Sequence, residues 1–591
     1  MHKLCLIIAM NLLCFWSEGK TVISITNQQA FDLLPKKIEE LVSQGENKIV
    51  ISLSAGNYIF KDKHIRLTNI DNPRLSILIK GNNTILIPEG KTYIDGDLFE
   101  GVFSIYHGWM NGKNDISIWS SMIQSNQLVE IVDFEKKLCR LKSPIPLKDA
   151  EREAQYILLT QWYKSNTYCV TKIKDNYIYF IASDLSNSSY KKTEYSINDD
   201  FNYLSKYPRY KLCNVADSDN AQSILIKNGE FVLPFGISEV HECIASTFLY
   251  LENCNLGFFK MEGLDFWGSS YGYTDAFITF KETKAPNIEI HKCSFYGMHN
   301  NVISLLNTNN VIIAKNTFYD IYFTGIYSDN KCQNTRIINN SFFNAGLGLS
   351  NTFCILCCGL DYYIEGNKME NYGYGGIRVG IWYLTPQYNR PSGTVENNTL
   401  VFTNTYLKRI STDGLMDGGA IYISTINDKA IVRYNYINGF SGAGGNRGIF
   451  CDDGALGYEI YGNVILNISR NDYCIASRRE PAVEKRNDSR SELLRSNINN
   501  TIRDNILDGK IMFRGHEDTD NGCEKGANYV VLTAGKEPPV NQIDYIHQLK
   551  SDVIIKNIII KDNTIMVPRT NYRAMKKSKE WHILRQYLKL M

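Results

Sequence analysis

The sequence has no excess of either charge: 64 Lys and Arg stand against 62 Asp and Glu over 591 residues, a net charge of +2. A nucleic-acid-binding chain would carry a concentrated basic excess, so that class is excluded. Long apolar runs are missing too. Leu4 to Phe15, twelve residues after the basic start Met1-His2-Lys3, falls short of the roughly 20 residues needed to span a bilayer. No later segment is long and apolar enough for an integral membrane helix. The run instead matches the apolar region of a secretory signal, so residues 1–19 are expected to be removed and the remainder exported to the periplasm, the medium or the cell surface. Cysteine pairing is the third absence. Removing Cys5 and Cys14 from the 15 Cys leaves an odd, irregularly spaced set that is no disulfide framework. No His lies near Cys354, Cys357 and Cys358, so no metal is expected there and burial as small hydrophobes is the better reading.

What is present is a core. Hydrophobic residues make up 44% and aromatics 12%, which excludes wholesale disorder. The 37 Tyr and 58 Asn suit a turn-rich, all-β protein that handles polar, ring-shaped ligands.

A repeat organises the chain. From about residue 260 one pattern recurs: β-formers, two polar residues, a fixed slot, then an apolar pair. The slot holds Cys293, Asn316, Asn340, Asn367, Asn398, Asn435, Asn463, Asn505 and Asn563, at spacings of 23, 24, 27, 31, 37, 28, 42 and 58 residues. A second file of strands lies between the slots, in Gly325-Ile-Tyr-Ser, Phe353-Cys-Ile-Leu-Cys-Cys, Gly376-Ile-Arg-Val, Ala420-Ile-Tyr-Ile-Ser, Gly448-Ile-Phe-Cys-Asp, Tyr473-Cys-Ile-Ala-Ser-Arg and Lys510-Ile-Met-Phe-Arg. Strands repeated once per coil stack in parallel ~4.8 Å apart, with alternate residues inside and outside. The fold class is therefore all-β, a parallel β-helix with a ladder of buried Asn side chains. Residues 28–43 read as one amphipathic helix capping the open end, with Phe31, Leu33, Leu34, Ile38, Leu41 and Val42 as its apolar face. The expected organisation is a signal over 1–19, cap and first coils over 20–99, an inserted small β-domain over 100–215, the main solenoid over 216–570 and a closing helix over 571–591.

Aligning the second file on its inward Ile gives two outward columns. One reads Tyr327, Leu356, Arg378, Tyr422, Phe450, Ala476, Met512; the other Asp329, Cys358, Gly380, Ser424, Asp452, Arg478, Arg514. Asp329 stands four coils from Asp452, about 19 Å, too far for a hydrolytic pair of carboxylates about 5–9.5 Å apart. Asp453 follows Asp452 directly, and Asp417 enters the preceding coil. Residues 382–392, 479–498 and 515–550 leave the same end of this file and are expected to wall a groove around Asp452. The last of these opens on Arg514-Gly-His516-Glu517-Asp518. Asp452, Asp453 and Asp417 are the catalytic candidates, since one acid must protonate a leaving oxygen while a carboxylate attacks or activates water. Arg378, Tyr422, Arg447, Arg478, Arg514, His516 and Glu517 are candidates for binding substrate, Tyr and Trp382 by stacking on sugar rings and Arg by pairing with acidic sugars.

The stretch Gly448-Ile-Phe-Cys-Asp-Asp-Gly-Ala-Leu-Gly-Tyr-Glu-Ile-Tyr-Gly-Asn463, with the Asn slots and the early β-insertion, resembles the right-handed parallel β-helix carbohydrate-active proteins of the pectate-lyase-like superfamily. The closest likeness is to β-helical glycoside hydrolases of the α-L-fucosidase/xylanase and β-xylosidase type, in outline over residues 45–99 and 220–570. That resemblance implies two catalytic acids, mapped onto Asp452 with Asp453, Asp417 or Glu517, no cofactor, and a polysaccharide or oligosaccharide as partner. Two other readings stay open. A polysaccharide lyase would use Arg as base on a uronate, with calcium neutralising the uronate carboxylate, although no dense acidic cluster accompanies the Arg column. A non-catalytic glycan-binding solenoid would leave the long loops unexplained.

Overall fold

The computed structural model describes residues 20–93, 243–269, 276–346, 352–380, 390–402, 418–440 and 447–468, with parts of 109–241 and 473–566. The expected signal (1–19) and closing helix (571–591) lie outside the described residues. Among the described residues no helix is long and apolar enough to cross a membrane.

The chain winds as a right-handed parallel β-helix with three strands per coil. Sheet A holds Lys48–Leu53, Ile288–His291, Val311–Ala314, Arg336–Ile338 and Tyr362–Glu365; sheet B holds Gly56–Phe60, Ser294–Tyr296, Thr317–Ile321, Ser341–Ala345 and Lys368–Tyr372. Sheet C holds Ile65–Thr68, Leu249–Glu252, Ile278–Lys281, Ile303–Leu306, Ile326–Ser328, Phe353–Cys357 and Gly375–Val379. Each strand pairs in parallel with its counterpart one coil on, as the recurring pattern requires. Four longer strands, Asp71–Pro88, Asn255–Trp267, Gly419–Arg433 and Arg447–Tyr461, run through corners between sheets.

The lumen is filled by stacked side chains. Sheet C contributes Ile278, Ile303, Ile326, Ile355, Ile377, Ile421, Ile449 and Ile475, all fully buried. Sheet B contributes Phe266, Phe295, Phe318 and Phe342, whose rings stack at 5.2, 5.0 and 4.5 Å. Offset stacking of this kind adds to the burial of each ring.

Two corners carry hydrogen-bond ladders. Between sheets A and B, Asn316 Nδ2 and its backbone N–H both donate to Asn340 Oδ1, and Nδ2 also donates to Ile290 O. The same arrangement repeats at Asn340, Asn367, Asn398, Asn435 and Asn463, ending on Asn505. Asn suits the slot because one short amide accepts twice on one side and donates on the other. The second ladder, between sheets C and A, has no counterpart in the sequence reading. Cys254, Thr283, Thr308 and Cys332 each reach back to a carbonyl of the preceding coil, those of Leu67, Leu251, Phe280 and Leu305.

The cap differs from expectation. Two helices, α1 (Gln28–Asp32) and α2 (Leu34–Ser43), meet at Leu33, where a single helix was predicted. Pro35 has no N–H to donate and clashes with a continuing turn, so it ends one helix and starts the next. Phe31, Leu34, Ile38 and Leu41 are buried as predicted, whereas Leu33 at the break is 57% exposed.

The first coils are interrupted after Asp71–Pro88. Eight strands between Ile123 and Cys213 form one antiparallel sheet, with Cys139, Leu141, Ile157, Ile178 and Phe180 buried. The solenoid resumes at Leu249–Glu252, which stacks directly on Ile65–Thr68, so the insertion hangs on the corner between sheets B and C. At the far end, Ile559–Lys561 and Thr564–Met566 pair antiparallel. This antiparallel pair stands where the sequence predicts a coil around Asn563; Asp562 and Asn563, between the two strands, lie outside the described residues.

Candidate functional site

The columns predicted on sheet C are observed in register. Tyr327 pairs with Leu356, Leu356 with Arg378, Arg378 with Tyr422, Tyr422 with Phe450, Phe450 with Ala476 and Ala476 with Met512. In the second column Ser424 pairs with Asp452, and Arg478 with Arg514. The members at the middle of these columns leave the lumen, yet they are closed to solvent. Arg378 is 0% exposed, Tyr422 1% and Asp452 5%. The outer face of sheet C has an apolar cluster of its own, made of Phe353, Tyr374, Tyr422, Phe450 and Ala476.

Within that cover lies a polar centre. The Tyr422 hydroxyl donates to Asp452 Oδ2 at 2.6 Å, with both groups buried. Arg378 Nε donates to Ser424 Oγ in the next coil at 3.0 Å. The Arg378 guanidinium carbon stands 5.7 Å from the Tyr422 ring centre and 5.8 Å from that of Phe353. Arg447 lies closer still, 4.0 Å over the Phe450 ring. Because Ser424 and Asp452 are register partners, one carboxylate and one guanidinium share a patch that spans three successive coils, backed by π-faces that favour the cation.

Glycine makes room for this packing. A Cβ at Gly375 would come within 2.5 Å of the Phe353 ring. Gly380 follows the strand Gly375–Val379 at φ +91, and a Cβ there would sit 2.2 Å from Ser424 O. Beside it, Cys358 Sγ donates to Gly380 O at 3.1 Å. Burial pushes the Cys358 thiol up to about 12, against the pull of Arg378, so it stays a neutral packing group. Burial likewise raises the Tyr327 phenol. Asp329 is spent on backbone, accepting from the N–H of Asn307 in the preceding coil and of Lys331 and Cys332 in its own turn.

Of the three expected catalytic carboxylates, Asp452 is the one whose side chain is described. Asp453 follows it in the strand Arg447–Tyr461, at a register irregularity: from Ser424 to Ile426 one strand advances two residues while its partner advances four, from Asp452 to Leu456. The side chain of Asp453 lies outside the described residues, as do Asp417, His516, Glu517 and Trp382 and the side chains of Arg478 and Arg514. Most of the three loops expected to wall the site, 382–392, 479–498 and 515–550, also lie outside them.

Strand alternation alone misses Phe353 and Tyr374, and with them the cover. Cys354 and Ile355, Ala420 and Ile421, and Cys474 and Ile475 are consecutive residues that all belong to the central core. Alternation therefore slips at the start of each sheet C strand, and the residue before the pair turns outward. That slip puts Phe353 and Arg447 in one outward column with Gly375 and Gly419. The signal for it was a Gly recurring at strand starts, which marks close approach of another group.

No family model matches the chain, and no curated protein does. Solved structures do resemble it. A glycoside hydrolase aligns at TM-score 0.46 and 11% identity over 76% of this chain and 95% of that one. An exopolygalacturonase from Thermotoga maritima aligns at 0.20 and 11%, covering 78% and 90%. The tailspike of an Acinetobacter baumannii bacteriophage, solved with capsular saccharide, aligns at 0.21 and 8%, covering 85% and 73%. These neighbours share the β-helical architecture, and the likeness ends there.

Proposed function

We propose that this chain is a glycoside hydrolase that cleaves a complex polysaccharide with two carboxylates, of which Asp452 is one. The observation that carries the proposal is the buried Tyr422–Asp452 hydrogen bond beside Arg378 on the outer face of sheet C. A hydroxyl held 2.6 Å from one carboxylate oxygen fixes the direction of the group. That suits Asp452 to the role of nucleophile or general base. The acid that protonates the leaving oxygen is then sought among Asp417, Asp453 and Glu517, which in sequence respectively precede the strand Gly419–Arg433, follow Asp452 and follow the strand Lys510–Arg514. Arg378 donates from Nε and lies between aromatic faces, an environment that keeps it a cation. It serves as a positioning charge for Ser424 and for an acidic or hydroxylated sugar, and it is a poor base for a lyase.

The test is a product screen of the mature protein on neutral and acidic polysaccharides, read for new reducing ends and for the ultraviolet absorbance of an unsaturated uronate. Reducing ends without absorbance are expected. Asp452→Asn should lower turnover at least ~100-fold with an unchanged melting temperature, and Tyr422→Phe should lower it less. Absorbance in the screen, or full turnover by a folded Asp452→Asn protein, would sink the assignment.

A further inference from the structure

We infer that the outer face of sheet B carries a second saccharide-binding surface, built from the aromatic column Trp267, Tyr296, Tyr319 and Phe343 and separate from the centre on sheet C. The four residues are register partners in successive coils. Their ring centres lie 6.2, 6.2 and 5.9 Å apart, and all four side chains are half-buried, each ring leaning on the next while keeping part of its surface open. They are outward residues. The inward column of the same strands is the separate stack Phe266, Phe295, Phe318 and Phe342, which already fills the lumen. Outward positions on a solvated strand normally carry polar residues, and four successive aromatics there serve no purpose in the core.

The flanks define what fits. Two residues before the rings, on the same face, runs the column Asp265, Ser294, Thr317 and Ser341, closing on exposed Lys368. On the other side the chain turns away through Asp320 and Asn344, whose side chains are hydrogen bonded at 2.9 Å. The apolar strip is thus one ring wide and bordered on both sides by hydroxyl, carboxylate and amide groups. A protein partner buries about 800 Å² on each side around an apolar centre, which a strip this narrow does not provide. A glycan chain presents the complementary pattern, with C–H faces for the rings and hydroxyl edges for both borders. The strip repeats once per coil, ~4.8 Å, which suits a ligand that is itself a repeat of rings. It ends where Glu370 takes the aromatic position.

The experiment is affinity electrophoresis of the full-length mature protein carrying Asp452→Asn, in gels containing xylan, glucomannan or polygalacturonate. The substitution suppresses turnover where the hydrolase reading holds and has none to suppress where the chain is no enzyme, so retardation reports binding in either case. We expect retardation in at least one gel, weakened at least fivefold by Tyr296→Ala or Tyr319→Ala and kept by Tyr296→Phe and Tyr319→Phe, which retain the ring. Thr317→Arg, which removes no ring and crowds the strip with a long side chain, should weaken it equally. Melting temperatures identify any variant that fails to fold, and Thr317→Arg then decides. Retardation in none of the three gels, or retardation unchanged in folded Tyr319→Ala and Thr317→Arg proteins, would overturn the inference.

Discussion

Asn398 offers the sharpest test of what holds the solenoid together. Its Oδ1 accepts from both the backbone N–H and Nδ2 of Asn367, each at 2.9 Å. Its Nδ2 donates to Ile364 O, Glu396 O and Asn435 Oδ1, each at 3.0 Å. In Asn398→Ala some of those partners keep a bond. Asn367 Nδ2 still donates to Ile337 O, Asn435 Oδ1 still accepts from the Asn398 N–H, and Glu396 O still accepts from Gly366. The Asn367 backbone N–H loses its acceptor in a fully buried corner. Stranding one buried amide costs ~1–3 kcal/mol, and the four other lost bonds ~1 kcal/mol each, so the substitution should cost about 5–7 kcal/mol. Asn398→Asp should be worse at neutral pH, because it turns a carboxylate oxygen towards three acceptors where the amide donated. Guanidinium unfolding followed by fluorescence measures the loss. Because solenoids unfold in units rather than all at once, amide exchange of the strands at Ile364 and Val395 should accelerate with it. A loss below ~1 kcal/mol, or an Asp variant as stable as the Ala variant, would refute the view that the ladder is a connected buried network.

Two further outcomes follow from single sites. His64 is 7% exposed, stacked 4.2 Å from Phe31 with Nε2 unpaired, and burial lowers its pKa to about 4. Its neutral form is the one the fold accepts, so its contribution is complete above the unfolded value of ~6.5 and is lost as pH falls towards 4, by up to ~3 kcal/mol. Melting temperature against pH should therefore fall less steeply in His64→Phe than in the native protein between pH 6.5 and 4.5, and superimposable slopes would contradict this. Gly380→Ala places a Cβ 2.2 Å from Ser424 O at φ +91, so it should cost ~1–3 kcal/mol and reduce turnover through Ser424 and Arg378; a native melting temperature with native activity would argue that the corner is not constrained.

The coil pattern was legible because it rests on two redundant signals, a buried Asn slot and an inward Ile, which pin register from both sides of the lumen. Once those are aligned, a one-residue slip would turn every Ile outward, so the column from Tyr327 to Met512 could be written down in order. Corners were less legible. Consecutive inward residues such as Cys354 and Ile355 break alternation, and that hid Phe353 and its ring cover from a reading built on period two. The helix break at Leu33 depends on a single proline, and the Thr and Cys ladder uses two residue types in one role, so neither shows up as a repeat. The site was legible as a column and not as a volume. Sequence order puts Asp452 beside Ser424, but the packing of Phe353 and Tyr374 against the Tyr422 ring depends on which side chains fold over the sheet.

The burial of Asp452 bears on the chemistry. On an open β-sheet face Asp452 would be a solvated carboxylate, its hydrogen bond to Tyr422 exchanging with water and giving little direction to the group. Under an aromatic cover the same bond is worth more, because the surroundings are less polarisable than water and no solvent competes for the oxygen. The cost is that a buried carboxylate needs partners, and the fold supplies them from neighbouring coils: Tyr422 to the carboxylate, and Ser424 to the Arg378 guanidinium next to it. Each partner sits on a strand whose height is fixed by the Asn ladder on the opposite side of the lumen. The ladder and the polar centre are therefore parts of one device. A lesion at Asn398 should disturb the spacing of Arg378, Tyr422 and Asp452 and lower turnover by more than the fraction of protein it unfolds.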